Sequence, residues 1–86
     1  NEALFHNALR AENLNWILFP ALTEPVRVTA KIRYSQTEQS ATVYPEDNNM
    51  ARVVFDQPQR AITPGQAVVF YQGDIVVGGG TITEVL

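Results

Sequence analysis

Three of the six basic residues of this chain lie in one short stretch, at a spacing that suits contact with phosphate groups. Arg27, Lys31 and Arg33 alternate with apolar residues, so a strand would place all three side chains on one face. Such a face contacts phosphates even on a chain whose net charge is negative. The alternative is a solvated outer surface, where Lys and Arg discourage unwanted strand pairing.

Two neutral residues extend this candidate surface. Tyr34 follows Arg33 directly, and its ring either stacks on a nucleobase or closes the core. Gln66 follows the turn pair Pro64-Gly65, and its side-chain amide both donates and accepts hydrogen bonds. A turn-capping role and a ligand-contact role for Gln66 are both compatible with the sequence.

Other candidate chemistry is weaker. Gly78–Gly80 resembles the glycine-rich loops that cradle phosphates where a strand enters a helix. Neither a Lys-Ser/Thr pair nor a helical pattern follows, so we interpret the glycines mainly as a bulge or bend where two strands approach closely. We expect Glu46 and Asp47 to lie in a solvated turn, and His6 and Trp16 to serve packing or the surface.

Composition excludes several classes of protein. Eighty-six residues make one small domain, and a net charge of −3 does not suggest nucleic acid or an anionic membrane. The absence of cysteine excludes disulfides, thiolate metal sites and a thiol nucleophile, and the single histidine argues against a His-rich metal site or a Ser/His/Asp relay. No apolar run approaches the roughly 18–20 residues of a membrane span. The first residue is not methionine, so we expect a piece of a longer protein. The lack of an apolar span and of excess positive charge predicts a soluble domain that contacts neither membrane nor DNA.

Period-two alternation and turn residues predict an all-β domain. Residues 1–22 fit a helical face about as well as short strands, with a helical turn over Ala11–Leu14 and a buried strand over Trp16–Phe19 as candidates. The fold expected is a small, closed or partly open antiparallel barrel of about six short strands, with a sandwich as the alternative. The remaining predicted strands are Val26–Tyr34, Ser40–Tyr44, Met50–Phe55, Ala67–Tyr71, Ile75–Val77 and Thr81–Thr83.

Four blocks of the sequence resemble a known family. They are Leu9–Trp16, Ala30–Gln36, Val54–Tyr71 and Gly78–Ile82, and the third contains the stretch Phe-Asp-Gln-Pro-Gln-Arg-Ala-Ile-Thr-Pro-Gly-Gln. In this order they are similar to the C-terminal domain of the tRNA-specific 2-thiouridylases of the MnmA type. The resemblance implies that residues 1–86 are one C-terminal β-barrel domain, without the N-terminal catalytic domain and the central domain.

The resemblance also implies an activity for the parent protein. Enzymes of this family use ATP, with Mg²⁺, to thiolate the wobble uridine of tRNAs for glutamate, glutamine and lysine. Sulfur arrives as a persulfide from a relay protein, and the resemblance implies a cytoplasmic enzyme. The nucleotide-binding loop and both catalytic cysteines belong to the N-terminal domain, so this chain is expected to hold neither a catalytic residue nor a cofactor.

Carried over by position, the family's tRNA contacts fall on Arg33, Tyr34 and Gln66, with Lys31 and Arg27 as possible support. The family usually has a second arginine where this chain has Ser35, which implies a weaker grip on phosphate. Two other functions are considered. The barrel either packs on neighbouring domains with little RNA contact, or adds a peptide strand to an open sheet edge.

Overall fold

The computed structural model describes residues 4–33 and 37–86, and these residues form six strands. Each strand is antiparallel to its neighbours, and the order β1-β4-β3-β2-β5-β6 closes on itself as a barrel. The predicted all-β class and six-stranded barrel are confirmed. The strands are β1 (Phe5–Trp16), β2 (Val26–Lys31), β3 (Gln39–Glu46), β4 (Met50–Arg60), β5 (Ala67–Gln72) and β6 (Ile75–Val85).

Alternating side chains fill the barrel. Along β2, Val28 and Ala30 are buried while Arg27 is exposed, and the alternation continues to buried Ile32 just beyond the strand. Fully burying such an apolar side chain contributes about 1.5–3 kcal/mol. The largest fully buried side chains are Phe55, Phe70, Leu9, Ile82, Val43, Val53, Val68 and Val77.

Two tight turns make the predicted hairpins. Between β3 and β4, Asn48 and Asn49 have φ values of 63° and 58°, the left-handed pair that suits the twist of a hairpin. Between β5 and β6, Gly73 has a φ of 60°. The first turn is shorter than predicted, because Pro45 and Glu46 still pair with β4.

At the N-terminus the strand alternative is confirmed as one long strand, but the helical turn and the buried strand over Trp16–Phe19 are wrong. β1 runs unbroken through the proposed helical turn at Ala11–Leu14, and its pairing with β6 shifts register between Glu12 and Asn15, where Asn13 has a φ of 52°. This local irregularity lets one 12-residue strand curve around the barrel. Trp16–Phe19 is not a buried strand. β1 ends at Trp16, and Ile17 and Leu18 are 65% and 46% exposed.

Several strand boundaries also differ from prediction, and β4 continues to Arg60 instead of ending at Phe55. β2 ends at Lys31 instead of Tyr34, so Arg33 lies just beyond the strand. The expected separate strand Thr81–Thr83 is the second half of β6, which continues through the glycines because both neighbouring strands pair with it there. Three of the six strands therefore have 11 or 12 residues and are not short.

Candidate nucleic-acid interface

An open groove runs over the outer face where β2 pairs with β5. It has a volume of about 570 Å³. Lys31 lies opposite Val69 in this ladder, and Thr29 lies opposite Tyr71. The turn before β5 brings Gln66 to one end of the groove, beside Arg33. The groove is lined by Lys31, Ile32, Arg33, Gln66, Ala67, Val69 and Tyr71.

The groove gathers three of the predicted site residues from two separate parts of the chain. Arg33 and Gln66 are 33 positions apart, and Lys31 joins them because it ends the strand that pairs with β5. Tyr34 lies outside the described residues. Arg27 is not part of the groove. The predicted basic face is therefore divided between the groove and a separate ion pair.

The backbone at the end of β4 holds Arg33 in place. Its Nη2 donates hydrogen bonds to the backbone carbonyl oxygens of Arg60 and Ala61, the latter at 2.8 Å. Ala61 has a φ of 54°, so the chain turns sharply at the carbonyls that receive this guanidinium. These two hydrogen bonds join the chain just after β2 to the end of β4. They also fix the position of Arg33 at the groove.

Gln66 uses its backbone for the turn and leaves its side chain at the groove. Its carbonyl oxygen accepts a bond from Ile82 N at 2.8 Å, and its own N donates to the Thr63 oxygen at 3.3 Å. The side chain is exposed and makes no hydrogen bond with another described residue. The turn-capping role therefore belongs to the backbone, because these two contacts hold the turn without the amide side chain.

The positive charge of the domain is distributed unevenly. Three arginines form ion pairs with carboxylates. Arg27 makes two bonds of 2.8 Å to Asp56. Arg10 pairs with Glu46 and Glu84, and Arg52 lies 3.9 Å from Glu46. In contrast, Lys31, Arg33 and Arg60 make no ion pair with any residue in the described ranges. Two of these unpaired cations, Lys31 and Arg33, line the groove, so a chain of net charge −3 carries a locally basic surface.

Glu46 is not in a solvated turn, contrary to the prediction. Arg10 Nε donates to its Oε1 at 2.6 Å, and Arg10 Nη1 donates to Glu84. The hydrogen bond from Arg10 lowers the pKa of Glu46, and the nearby Arg52 charge acts in the same direction. In a similar way, the hydrogen bond from Arg27 lowers the pKa of Asp56. These acids are 36 and 29 positions from their partners, a separation that a sequence pattern does not reveal.

One carboxylate lies close to the groove. The Thr29 hydroxyl donates to Glu38 Oε1 at 2.6 Å, and Thr29 projects from the same side of β2 as Lys31. Glu38 therefore reduces the positive potential along this side of the groove. Its sequence position, seven residues after Lys31, gave no indication of this proximity.

Sequence reasoning also missed Tyr71. Alternation along β5 buries Val68 and Phe70 and turns Val69 and Tyr71 outward. That alternation was visible in the sequence, but the neighbour of β5 was not. Pairing with β2 is what brings the tyrosine ring to the same groove as Lys31 and Arg33.

The glycine run does not fit a nucleotide phosphate. Gly78–Gly80 lies inside β6, and no helix follows it. A Cβ on Gly78 would lie 2.5 Å from the Asn15 carbonyl oxygen, and one on Gly79 would lie 2.7 Å from the Val68 carbonyl oxygen. The close approach of strands is thus confirmed, and a register shift between Phe70 and Tyr71 lies beside it. These glycines are therefore needed where β6 packs closely against β1 and β5.

In the ranges 4–33 and 37–86, no group of three or more His, Asp or Glu side chains is placed to hold a metal ion. Within the same ranges, no helix has the length and apolar character needed to cross a membrane.

Comparison with known proteins identifies the family. The sequence model of the family described as the aminomethyltransferase β-barrel domain matches residues 6–82, which is most of the barrel. The chain belongs to this family. Its barrel is similar to tRNA-specific 2-thiouridylases MnmA, with 53% identity to that of Halothermothrix orenii over 96% of the chain. The protein of Acetivibrio thermocellus is 58% identical over 92% of the chain, and that of Symbiobacterium thermophilum is 54% identical over the whole chain.

These matches confirm the resemblance to the C-terminal barrel domain of the 2-thiouridylases. The relatives are by name enzymes that act on tRNA. The chain spans only 22–23% of the length of these three relatives. The remaining three quarters of each relative lie outside the matched region.

Proposed function

We propose that this barrel contacts tRNA within a 2-thiouridylase that thiolates the wobble uridine of tRNAs for glutamate, glutamine and lysine. The observation that supports the proposal is the groove in which Lys31 and Arg33 meet Gln66 without a neutralising ion pair from the described residues. The three named relatives, which are similar along nearly the whole barrel, support tRNA as the partner.

Each groove residue has a distinct role in this proposal. The Arg33 guanidinium is held by two carbonyls and pairs with a phosphate, since Arg presents several N–H donors in one plane. The Lys31 ammonium neutralises a second phosphate. The Gln66 amide bonds a sugar hydroxyl or a base edge. Tyr34, which follows Arg33, stays a predicted contact.

Chemistry is assigned to other parts of the parent protein. ATP with Mg²⁺ and the persulfide relay partner would act at domains outside this chain, because the glycine run here lies inside β6 and no helix follows it. The barrel would position tRNA in the cytoplasm and carry no catalytic residue.

Lys31→Gln tests the proposal in the full-length polypeptide that carries this domain. Lys31 makes no ion pair with a described residue, so the change removes charge and leaves the fold intact. We expect about three- to tenfold weaker binding of a tRNA for glutamate. The slope of log affinity against log salt should become shallower by roughly 0.7–0.9, the value for one phosphate contact.

Arg27→Gln is the matched control. Its charge is already neutralised by Asp56, so affinity and salt slope should stay near wild type. Arg33→Ala should also weaken tRNA binding. Because this change removes two hydrogen bonds to backbone carbonyls, a melting curve must show that the variant is still folded. Equal affinities and slopes for wild type and Lys31→Gln would refute the RNA contact.

A second candidate function rests on an apolar patch at one end of the barrel. Ile17, Leu18, Ile75 and Val76 are 37–65% exposed, and both Ile17 N and Leu18 N donate to the Val77 oxygen, which joins these segments. An exposed apolar cluster is typical of a protein interface. Here the occupant would be another domain of the same polypeptide, since the relatives extend well beyond the barrel. Ile17→Ser would then lower the melting temperature of the full-length protein and leave the salt slope unchanged.

A further inference from the structure

The groove contains an aromatic side chain that the motif-based assignment does not include. Tyr71 is half-buried and projects outward from β5, opposite Thr29 of β2. Val69 and Ala67 are the next outward-facing residues of β5, and they lie between Tyr71 and the end of the groove where Gln66 lies. Four residues of strand span about 13 Å, so the ring and the Arg33 guanidinium reach different nucleotides of a bound strand.

The ring of Tyr71 has no aromatic or cationic partner among the described residues. Tyr44 is the informative comparison, because it is also half-buried and outward-facing on a strand. There, the Arg52 guanidinium lies 4.7 Å from the ring centroid and covers it. The two tyrosines therefore differ in what occupies their faces, although they share the same kind of strand position.

We propose that Tyr71 is a stacking platform for an unpaired base of the bound RNA, next to the phosphate contacts of Lys31 and Arg33. This inference rests on the proposed function and adds the ligand chemistry: a single-stranded or looped segment with an unstacked base. Single-stranded RNA is commonly held by this combination of a cationic track and an aromatic face. The apolar Ala67 and Val69 between the two ends support the flat side of a nucleoside.

Stacking and phosphate contact have separable signatures. A stacked base releases no counterions, so loss of the ring lowers affinity without changing the salt slope, whereas loss of Lys31 changes the slope. In the full-length polypeptide, Tyr71→Ala should weaken binding of a tRNA for glutamate about tenfold, toward the low end for one base stack. Tyr71→Phe retains the ring and should bind within about twofold of wild type.

The control is Tyr44→Ala, which makes the same truncation at a covered tyrosine outside the groove. It should leave tRNA affinity unchanged. If Tyr71→Ala lowers the melting temperature of the protein substantially, Tyr71→Leu replaces it, because Leu keeps apolar bulk on β5 but offers no ring to stack on. Tyr71→Leu should then show the affinity loss expected of the alanine variant.

Each outcome decides between the two proposals. If Lys31→Gln reduces the salt slope but Tyr71→Ala and Tyr71→Leu bind as wild type, stacking is refuted and the tRNA contact stands. If Tyr71→Phe loses as much affinity as Tyr71→Ala, the hydroxyl is responsible and stacking is also refuted. If none of the groove variants alters binding, both proposals fail.

Discussion

Gly78→Ala should destabilise the barrel through a steric conflict that the structure locates. An alanine Cβ at Gly78 would lie 2.5 Å from the Asn15 carbonyl oxygen, about 0.8 Å inside the roughly 3.3 Å at which carbon and carbonyl oxygen ordinarily meet. It would also lie 2.7 Å from Cε3 of Trp16. Neither neighbour moves freely, because Trp16 pairs with Gly78 across β1 and β6 and its ring stacks on Phe70 at 5.6 Å.

The magnitude follows from two opposing effects. Overpacking of this kind costs about 1–3 kcal/mol. Replacing a strand glycine recovers about 0.5–1 kcal/mol of backbone entropy, so the middle of the two ranges leaves a net loss of about 1.25 kcal/mol. In a domain of this size, 1 kcal/mol shifts the melting temperature by about 4–8 °C, so we expect a fall of about 5–10 °C.

Trp16 is the only tryptophan and reports on this site directly. Urea and thermal unfolding followed by its fluorescence would give both the stability and the change in ring environment. Gly73→Ala is the control, since no atom lies within 4 Å of its added Cβ and its penalty comes only from a φ of 60°. That variant should lose stability without a shift in Trp16 emission. A Gly78→Ala protein that melts within about 2 °C of wild type, with unchanged emission, would refute the close-approach argument.

Two further predictions concern carboxylates. The hydrogen bond from Arg10 lowers the pKa of Glu46 in the folded state, so its stabilisation is present above the ordinary value of 4.5 and is lost as the pH falls through the lowered folded value. Unfolding curves from pH 7 to pH 2 should therefore show a smaller acid-induced loss of stability in Glu46→Gln, and identical pH profiles would contradict this. Glu38→Gln removes a negative charge beside Lys31, so it should tighten tRNA binding about two- to fivefold at low salt and by less at 0.5 M salt. Weaker binding by this variant would show that Glu38 supports the groove.

Local patterns were sufficient for much of the fold. Alternation identified the strands around Val28 and Val43, and turn residues located both hairpins, because these features depend on neighbours in sequence. The single long strand β1 was not predicted, for a physical reason. Asn13 interrupts the alternation where β1 changes register, so a curved 12-residue strand has no regular period to detect.

The sequence by itself determined the strand faces, the small β-barrel class and the family resemblance, since each depends on residue order alone. Tertiary structure decided which cations are unpaired. Arg27 and Lys31 are equivalent in the alternating pattern, yet Asp56 from β4 neutralises the first and no described acid pairs with the second. Likewise, only the pairing of β2 with β5 places Tyr71 and Gln66 in the same groove as Arg33. Charge neutralisation and groove formation depend on contacts between distant strands, and closure of the barrel creates those contacts.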